Sequence, residues 1–251
     1  MDAILLQLQG LVNKVISARW LEMEKRNRAN LLGLLVENEF NDANIRSILF
    51  DVVIFGSDTI VSTTTAALCI LHHPQHAHWL KVAWNEAIAR NAGKSVRFED
   101  LRSQLPVTVG IMRGILRLFP PVPFVGQTAT FNGTLANTYT ITTGDVFCFS
   151  PWFLGCDPNS LGINPTAFNP QRWISDPKKG GANSSFVWFP FGAGPQGCLG
   201  TRLGLTKVIL GISKLLLDFE FAFERSGELP MKYDLMLNLN EVMPCDIKSW
   251  K

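Results

Sequence analysis

The sequence has no CxxC pair, no block of like charge, no internal repeat and no uninterrupted apolar run, and each absence removes a class of protein. Its five cysteines, Cys69, Cys148, Cys156, Cys198 and Cys245, are odd in number and far apart. Neither a disulfide framework nor a zinc ribbon can be drawn from them, and a reducing compartment is expected. The net charge of +2 is spread along 251 residues, so no phosphate-tracking surface forms and nucleic acid is not an expected partner. The N-terminal stretch MDAILLQLQGLVNKVISARW lacks a charged region followed by a solid apolar run, so neither a signal peptide nor a membrane anchor is expected in this chain. The most apolar segment, Ile45 to Leu71, is interrupted by Arg46, Asp51 and Asp58, which suits a buried helix better than a membrane span.

What is present is an ordinary globular composition, 47% hydrophobic, enough for one large domain or two small ones with a real core. Residues 1–40 read as one or two amphipathic helices, with Leu31, Leu32, Leu34, Leu35 and Val36 as core candidates and EKRNR as an exposed face. Asn41 or Asp42 can cap a helix that continues to the stop signal His72-His73-Pro74, roughly thirty residues and about 45 Å long. A helix of that length in a small domain is usually the one everything else packs around. A further helix follows from Pro74 to Ala92, then a short charged segment from Phe98 to Gln104, and a compact helix from Val107 to Leu118 broken by FPPVP. Thr128 to Phe149 is rich in Thr, Phe, Tyr and Val with turn signals between them, which predicts short strands. Residues 151–185 read as a long ordered loop, Leu203 to Phe219 as an amphipathic helix, and Met231 to Trp250 as a hairpin. All four histidines fall between His72 and His78. A metal site there is the weaker reading, because adjacent histidines on a loop point in different directions.

The stretch FPFGAGPQGCLG, Phe189 to Gly200, places a lone thiol in a glycine-rich turn at the mouth of a helix. Unpaired backbone N–H groups and the positive end of the helix dipole favour a thiolate there, and the glycines let backbone approach a flat partner closely. The pattern describes a socket for a thiolate that ligates something large and planar. A buried cysteine beside a glycine-rich turn satisfies the same pattern.

FGAGPQGCLG resembles the haem-binding loop of the cytochrome P450 superfamily, F-x-x-G-x-[R/H]-x-C-x-G, with Phe191, Gly194, Cys198 and Gly200 in place. In the same order as in that family, GSDTI is similar to its oxygen-groove motif through Gly56, Asp58 and Thr59. LPVTVGIMRGILRLFPPVP is similar to the helix of its E-x-x-R motif through Arg117, and FNPQRW to its P-E-R-[F/W] segment through Pro170, Arg172 and Trp173. The resemblance implies a mainly α fold with small β sheets, the C-terminal half of the cytochrome P450 fold. It implies one truncated domain over residues 1–251, organised around the long helix at 41–73. Helices at 1–40 precede it; the arginine-motif helix and proline turn (105–123), strands (128–150), meander loop (151–185), haem loop (189–200) and a helix (201–219) follow.

The same resemblance implies haem b as cofactor and Cys198 as the iron ligand, with Phe191, Gly194, Gln196 and Gly200 at the cofactor. Asp58 and Thr59 would relay protons on the distal side, although Thr59 can equally bond back to a carbonyl one turn earlier. Arg117 and Arg172 would be structural, and Val122, Phe124 and Val125 would contact substrate. Phe191 can also be read simply as a core aromatic. The activity implied is haem-thiolate monooxygenation of a hydrophobic small molecule in secondary metabolite biosynthesis, with electrons from an NADPH-dependent reductase, in the cytoplasm or on the cytoplasmic face of the endoplasmic reticulum.

The sequence departs from the family in several places. By the resemblance, the chain is expected to begin midway through the family's fold, without roughly its first half. The E-x-x-R glutamate is Gly114, and no acid lies between Leu105 and Arg117. An unpaired buried guanidinium there would cost about 3–5 kcal/mol out of a total stability of about 5–15, so restoring glutamate at 114 is expected to stabilise the protein. Gln196 replaces the basic residue that would meet a propionate, Phe55 precedes Gly56 where the family has a small residue, and Gln171 replaces the P-E-R glutamate. These changes support an alternative, a degenerate or truncated non-catalytic relative that binds a ligand or assists a partner, or an incomplete gene product.

Overall fold

The computed structural model describes residues 7, 10, 13, 14, 17, 30–90, 98–161, 164–175, 188–224, 230–234, 236–240 and 243–250. The EKRNR face and residues 176–187 of the long loop lie outside them. Contacts divide the chain into two compact units, Met1–Asp58 and Thr59–Lys251.

In the first unit, α1 (Leu31–Glu37) starts where the Asn30 side chain accepts from the Gly33 amide at 2.9 Å. Helix α2 (Asp42–Leu71) starts where Asn41 accepts from the Asn44 amide at 2.9 Å; both are N-caps that satisfy an orphan amide. Leu32, Leu35 and Ile45 form the small core of this unit, joined by Val36, Ile48 and Leu49.

Helix α2 runs on into the second unit. It is, by length and composition, the one helix among the described residues long and apolar enough to cross a membrane. Its C-terminal half, however, is a core helix: Ser62, Thr63, Ala66, Ala67, Ile70 and Leu71 are all buried. The two polar members are satisfied by backbone carbonyls, Ser62 Oγ donating to Leu237 at 2.6 Å and Thr63 Oγ1 to Thr59 at 2.7 Å.

Around that half-helix pack α3 (Ala77–Arg90), the short α4 (Leu101–Gln104), α5 (Pro106–Leu118) and α9 (Thr201–Asp218). Their shared core holds Ile111, Met112, Ile115, Val208, Ile209 and Ile212. The segment read from sequence as a long loop is punctuated by three short helices, α6 (Pro151–Gly155), α7 (Pro158–Leu161) and α8 (Gln171–Ile174). Proline or Ser150 starts the first of them, and each is too short to show a helical period.

Among the described residues the strands form four antiparallel two-stranded ribbons. β1 (Val125–Thr128) pairs with β4 (Val146–Phe149) and β2 (Gly133–Leu135) with β3 (Tyr139–Ile141). β6 (Met231–Asp234) pairs with β7 (Met236–Leu239) as a hairpin. The last strand, β8 (Cys245–Ser249), does not join that hairpin; it pairs with β5 (Phe219–Phe223), directly after α9.

Helix α5 is the element on which the site rests. It begins with Pro106 at its first turn, and its orphan amides are capped from another helix. Glu86 of α3 accepts from the amides of Val107 and Thr108, each at 2.8 Å, and from Thr108 Oγ1 at 2.6 Å. A carboxylate at a helix N-terminus is favoured by both hydrogen bonding and the dipole. Two glycines let the helix press against its neighbours. A Cβ at Gly110 would lie 2.7 Å from Ile174 Cγ1 of α8, and one at Gly155 would lie 2.7 Å from the Arg117 carbonyl oxygen.

Removing the remote cap should therefore loosen the whole second unit. Glu86→Ala is expected to lower stability by about 2–4 kcal/mol, the scale of several hydrogen bonds to a charged group, while Glu86→Gln should recover part of the loss; denaturant titration measures both.

Candidate functional site

Cys198 sits at the end of a closed loop. Its amide donates to the Phe191 carbonyl at 2.8 Å, the Gly192 amide to the Phe189 carbonyl at 3.3 Å, and the Gly197 amide to the Gly194 carbonyl at 3.0 Å. Gly192 and Gly194 have φ of +68° and +71°, the left-handed region that side chains disfavour. Gly197 and Gly200 have negative φ, and their absence of side chain serves contact instead. A Cβ at 197 would lie 3.2 Å from the Gly194 carbonyl oxygen, and one at 200 would lie 3.6 Å from Cys198 Sγ. Gly200 caps α9, and Thr201 Oγ1 donates back to the Cys198 carbonyl at 2.8 Å. The thiol is exposed, and Leu199 beside it is fully exposed. By contrast Cys69 is buried, and desolvation, helped by Cys245, pushes its thiol up to about 11, where it stays protonated and inert.

Behind the loop, α5 carries two arginines on successive turns. Arg117 is almost fully buried, and its lack of a glutamate is met by backbone. Its guanidinium donates to the carbonyls of Gly155 at 2.7 Å, Ala167 at 2.7 Å and Pro165. Arg172 donates to the carbonyls of Leu161 at 2.9 Å and Asn164 at 3.0 Å. Both guanidinium groups therefore grip the same segment, 155–167. The expectation of an unpaired Arg117 is corrected: three carbonyl dipoles replace one carboxylate. No carboxylate among the described residues pairs with the charge, and burial pushes the Arg117 guanidinium down to about 10, with Cys156 opposing and Arg172 adding to the shift.

The space of the missing glutamate is also filled. A Cβ at Gly114 would lie 3.1 Å from Phe168 Cε2 and 3.9 Å from Trp173 Nε1, and that indole N–H is buried without a hydrogen-bond partner among the described residues. Phe168 packs against the core and, edge-on, against His76 at 4.8 Å between ring centroids.

The other expected residues fall in separate neighbourhoods. Asp58 is exposed at the end of the first unit, and Thr59 is half-buried at the start of the second. Phe55 is 56% exposed. Val122 and Phe124 are partly exposed beside the hairpin, where Phe124 meets Tyr233 at 5.6 Å and the Leu237 amide donates to the Pro121 carbonyl at 2.8 Å. Val125 pairs with Phe149, whose ring lies 5.7 Å from that of Phe189 at the entrance of the thiol loop. A cavity of about 280 Å³ lies elsewhere, between Leu101, Val109, Leu205 and Ile209 with Arg102 and Arg113 at its side, and none of the expected site residues lines it. No group of three or more metal-ligating side chains occurs among the described residues.

Comparison with known proteins decides the family. The cytochrome P450 family model matches residues 2–244. The chain belongs to the cytochrome P450 family. It is 29% identical over 237 residues to the probable cytochrome P450 508D1 of Dictyostelium discoideum, covering 90% of this chain and 47% of that protein. It is 27% identical over 252 residues to corytuberine synthase of Coptis japonica, covering 93% of this chain and 50% of that protein. The fold is similar to that of a crystallised cytochrome P450DA mutant heme domain, with TM-score 0.79 and 24% identity over 97% of this chain and 53% of that one. The chain thus spans about half the length of the curated relatives it matches.

For this cytochrome P450 chain, sequence reasoning missed Glu86, Arg113 and Trp188. Arg113 had a weak signal in its four-residue spacing from Arg117; Trp188 directly precedes the loop motif, and nothing in the sequence points to Glu86. The Phe168 ring beside Gly114 argues against the gain expected from restoring the family glutamate. Gly114→Glu must displace Phe168 and is expected to cost about 1–3 kcal/mol, read as a lower melting temperature; a higher one would show that Phe168 yields and that the carboxylate reaches Arg117.

Proposed function

We propose that this chain carries the thiolate side of a haem-thiolate monooxygenase acting on a hydrophobic small molecule. The observation that carries the reading is the loop itself: an exposed sulfur, flanked by Gly200 at 3.6 Å from where its Cβ would be, on a turn that only glycine at 192 and 194 allows without strain. Such a surface leaves room for a flat macrocycle against backbone with a sulfur donor beside it, so the residues present fit the group. When bound, the haem would supply dioxygen activation, inserting one oxygen atom into substrate and passing the other to water with two electrons from an NADPH-dependent reductase.

The chain's own residues hold and shield. Cys198 Sγ would ligate iron, and Phe191 and the backbone from Gly194 to Gly200 would help hold the group. Gln196, exposed on the loop, can donate a hydrogen bond to a propionate without neutralising it. By family resemblance Asp58 and Thr59 would hold and pass protons, and Val122, Phe124 and Val125 would offer apolar contact to substrate. A role in secondary metabolism is supported by the name of one relative, corytuberine synthase.

A non-catalytic reading draws on Gln196 and on the full exposure of Leu199 beside the thiol. Haem loading separates the two. Purified with excess haem, reduced and exposed to carbon monoxide, the protein is expected to show the thiolate-type Soret band, and Cys198→Ala to lack it. A wild-type chain that takes up no haem would sink the monooxygenase reading.

A further inference from the structure

We infer that Arg113 and Trp188 form a clamp that fixes the Cys198 loop to α5, making both of them positioning residues for the sulfur. The Trp188 Nε1–H donates to the Arg113 carbonyl at 3.1 Å, and the Arg113 guanidinium lies 4.7 Å from the centroid of the same indole. The pair thus closes a ring of two contacts, one through backbone and one through side chain, between a helix and the strand of chain that enters the loop. The guanidinium also lies 5.8 Å from the Trp173 ring, so one planar cation is within reach of two indoles from separate segments, a contact that Arg provides and Lys only approximates.

The clamp reaches the sulfur in two steps. Trp188 meets Phe191 at 5.9 Å between ring centroids, and the Phe191 carbonyl accepts from the Cys198 amide at 2.8 Å. Phe191 in turn lies against the start of α9, 3.9 Å from where a Cβ of Gly204 would be. Arg113 is half-buried, and burial pushes its guanidinium down to about 10; it remains charged at neutral pH, as the stacking requires. Neither residue belongs to the motifs that mark the family. With Arg117 one turn on gripping 155–167, α5 fastens the meander with one arginine and the thiol loop with the other.

What the clamp does for the sulfur rests on the proposed haem-thiolate reading, whereas its existence does not, and the test separates them. Amide hydrogen exchange is measured on the full chain without haem, comparing Arg113→Met, Arg113→Lys, Trp188→Phe and Trp188→Ala with wild type. The Cys198 amide is expected to exchange about tenfold faster in Arg113→Met and Trp188→Ala, the scale of one desolvated cation–π contact. Arg113→Lys should restore most of the protection, and Trp188→Phe should lie between. Amides of the β5–β8 ladder, such as Phe221 and Ile247, should keep wild-type rates. Unchanged exchange at Cys198, or equal acceleration of the ladder in every variant that folds, would overturn the clamp; if the Met and Ala variants fail to fold, Trp188→Phe decides on the same criterion. In haem-loaded protein, Arg113→Met should retain haem but shift the reduced carbon monoxide spectrum from the thiolate-type to the thiol-type band, with Arg113→Lys restoring it. A wild-type chain that loads no haem would fail the functional reading while leaving the exchange result to judge the clamp.

Discussion

The second unit depends on how one buried cation is solvated. Arg117 stands in the last turn of the helix that carries the core, with no acid near it in sequence, and a bare buried guanidinium in that position would cost several kcal/mol. The protein solves this with geometry: a planar fork with five donors meets the carbonyls of Gly155, Pro165 and Ala167. That arrangement is possible only because Gly155 lets the segment approach the helix backbone. Carbonyl dipoles satisfy hydrogen bonds without cancelling the charge, which is why the guanidinium is still pushed down to about 10.

From that anchor the rest follows in order. The segment 155–167 is held by Arg117 and Arg172 together, Phe168 is placed over Gly114, and α8 is drawn against Gly110. The helix is in turn fixed at its N-terminus by Glu86 and linked along its length to the thiol loop through Arg113. The loop is held by two left-handed glycines, the backbone hydrogen bonds that Cys198, Gly192 and Gly197 donate to Phe191, Phe189 and Gly194, and the first turn of α9.

Much of this was legible from the residues, and the remainder was not for identifiable reasons. The long helix shows in its caps and apolar run, because Asn41 and His72-His73-Pro74 are local signals. The thiol loop shows in its glycines, because a left-handed turn restricts residue type directly. Helices α6, α7 and α8 do not show, since four or five residues make little more than one turn, too few for an apolar period to repeat. The pairing of β5 with β8 rather than of β8 with the hairpin is a long-range choice that local alternation cannot specify. The fate of Arg117 was misread because backbone carbonyls leave no mark in sequence: an absent glutamate is visible, and its replacement by three peptide groups is not. Glu86 is hidden for the same reason, since a cap supplied by another helix has no fixed spacing.

The central claim is that the carbonyl cradle makes Arg117 a net support rather than a liability. Equilibrium unfolding of Arg117→Met tests it, because methionine keeps the bulk, removes the buried charge and leaves the three carbonyls without donors. The account predicts a loss of about 3 kcal/mol or more, the sum of several orphaned acceptors. A variant as stable as the wild type, or more stable, would contradict it and would show that the charge is tolerated there rather than used.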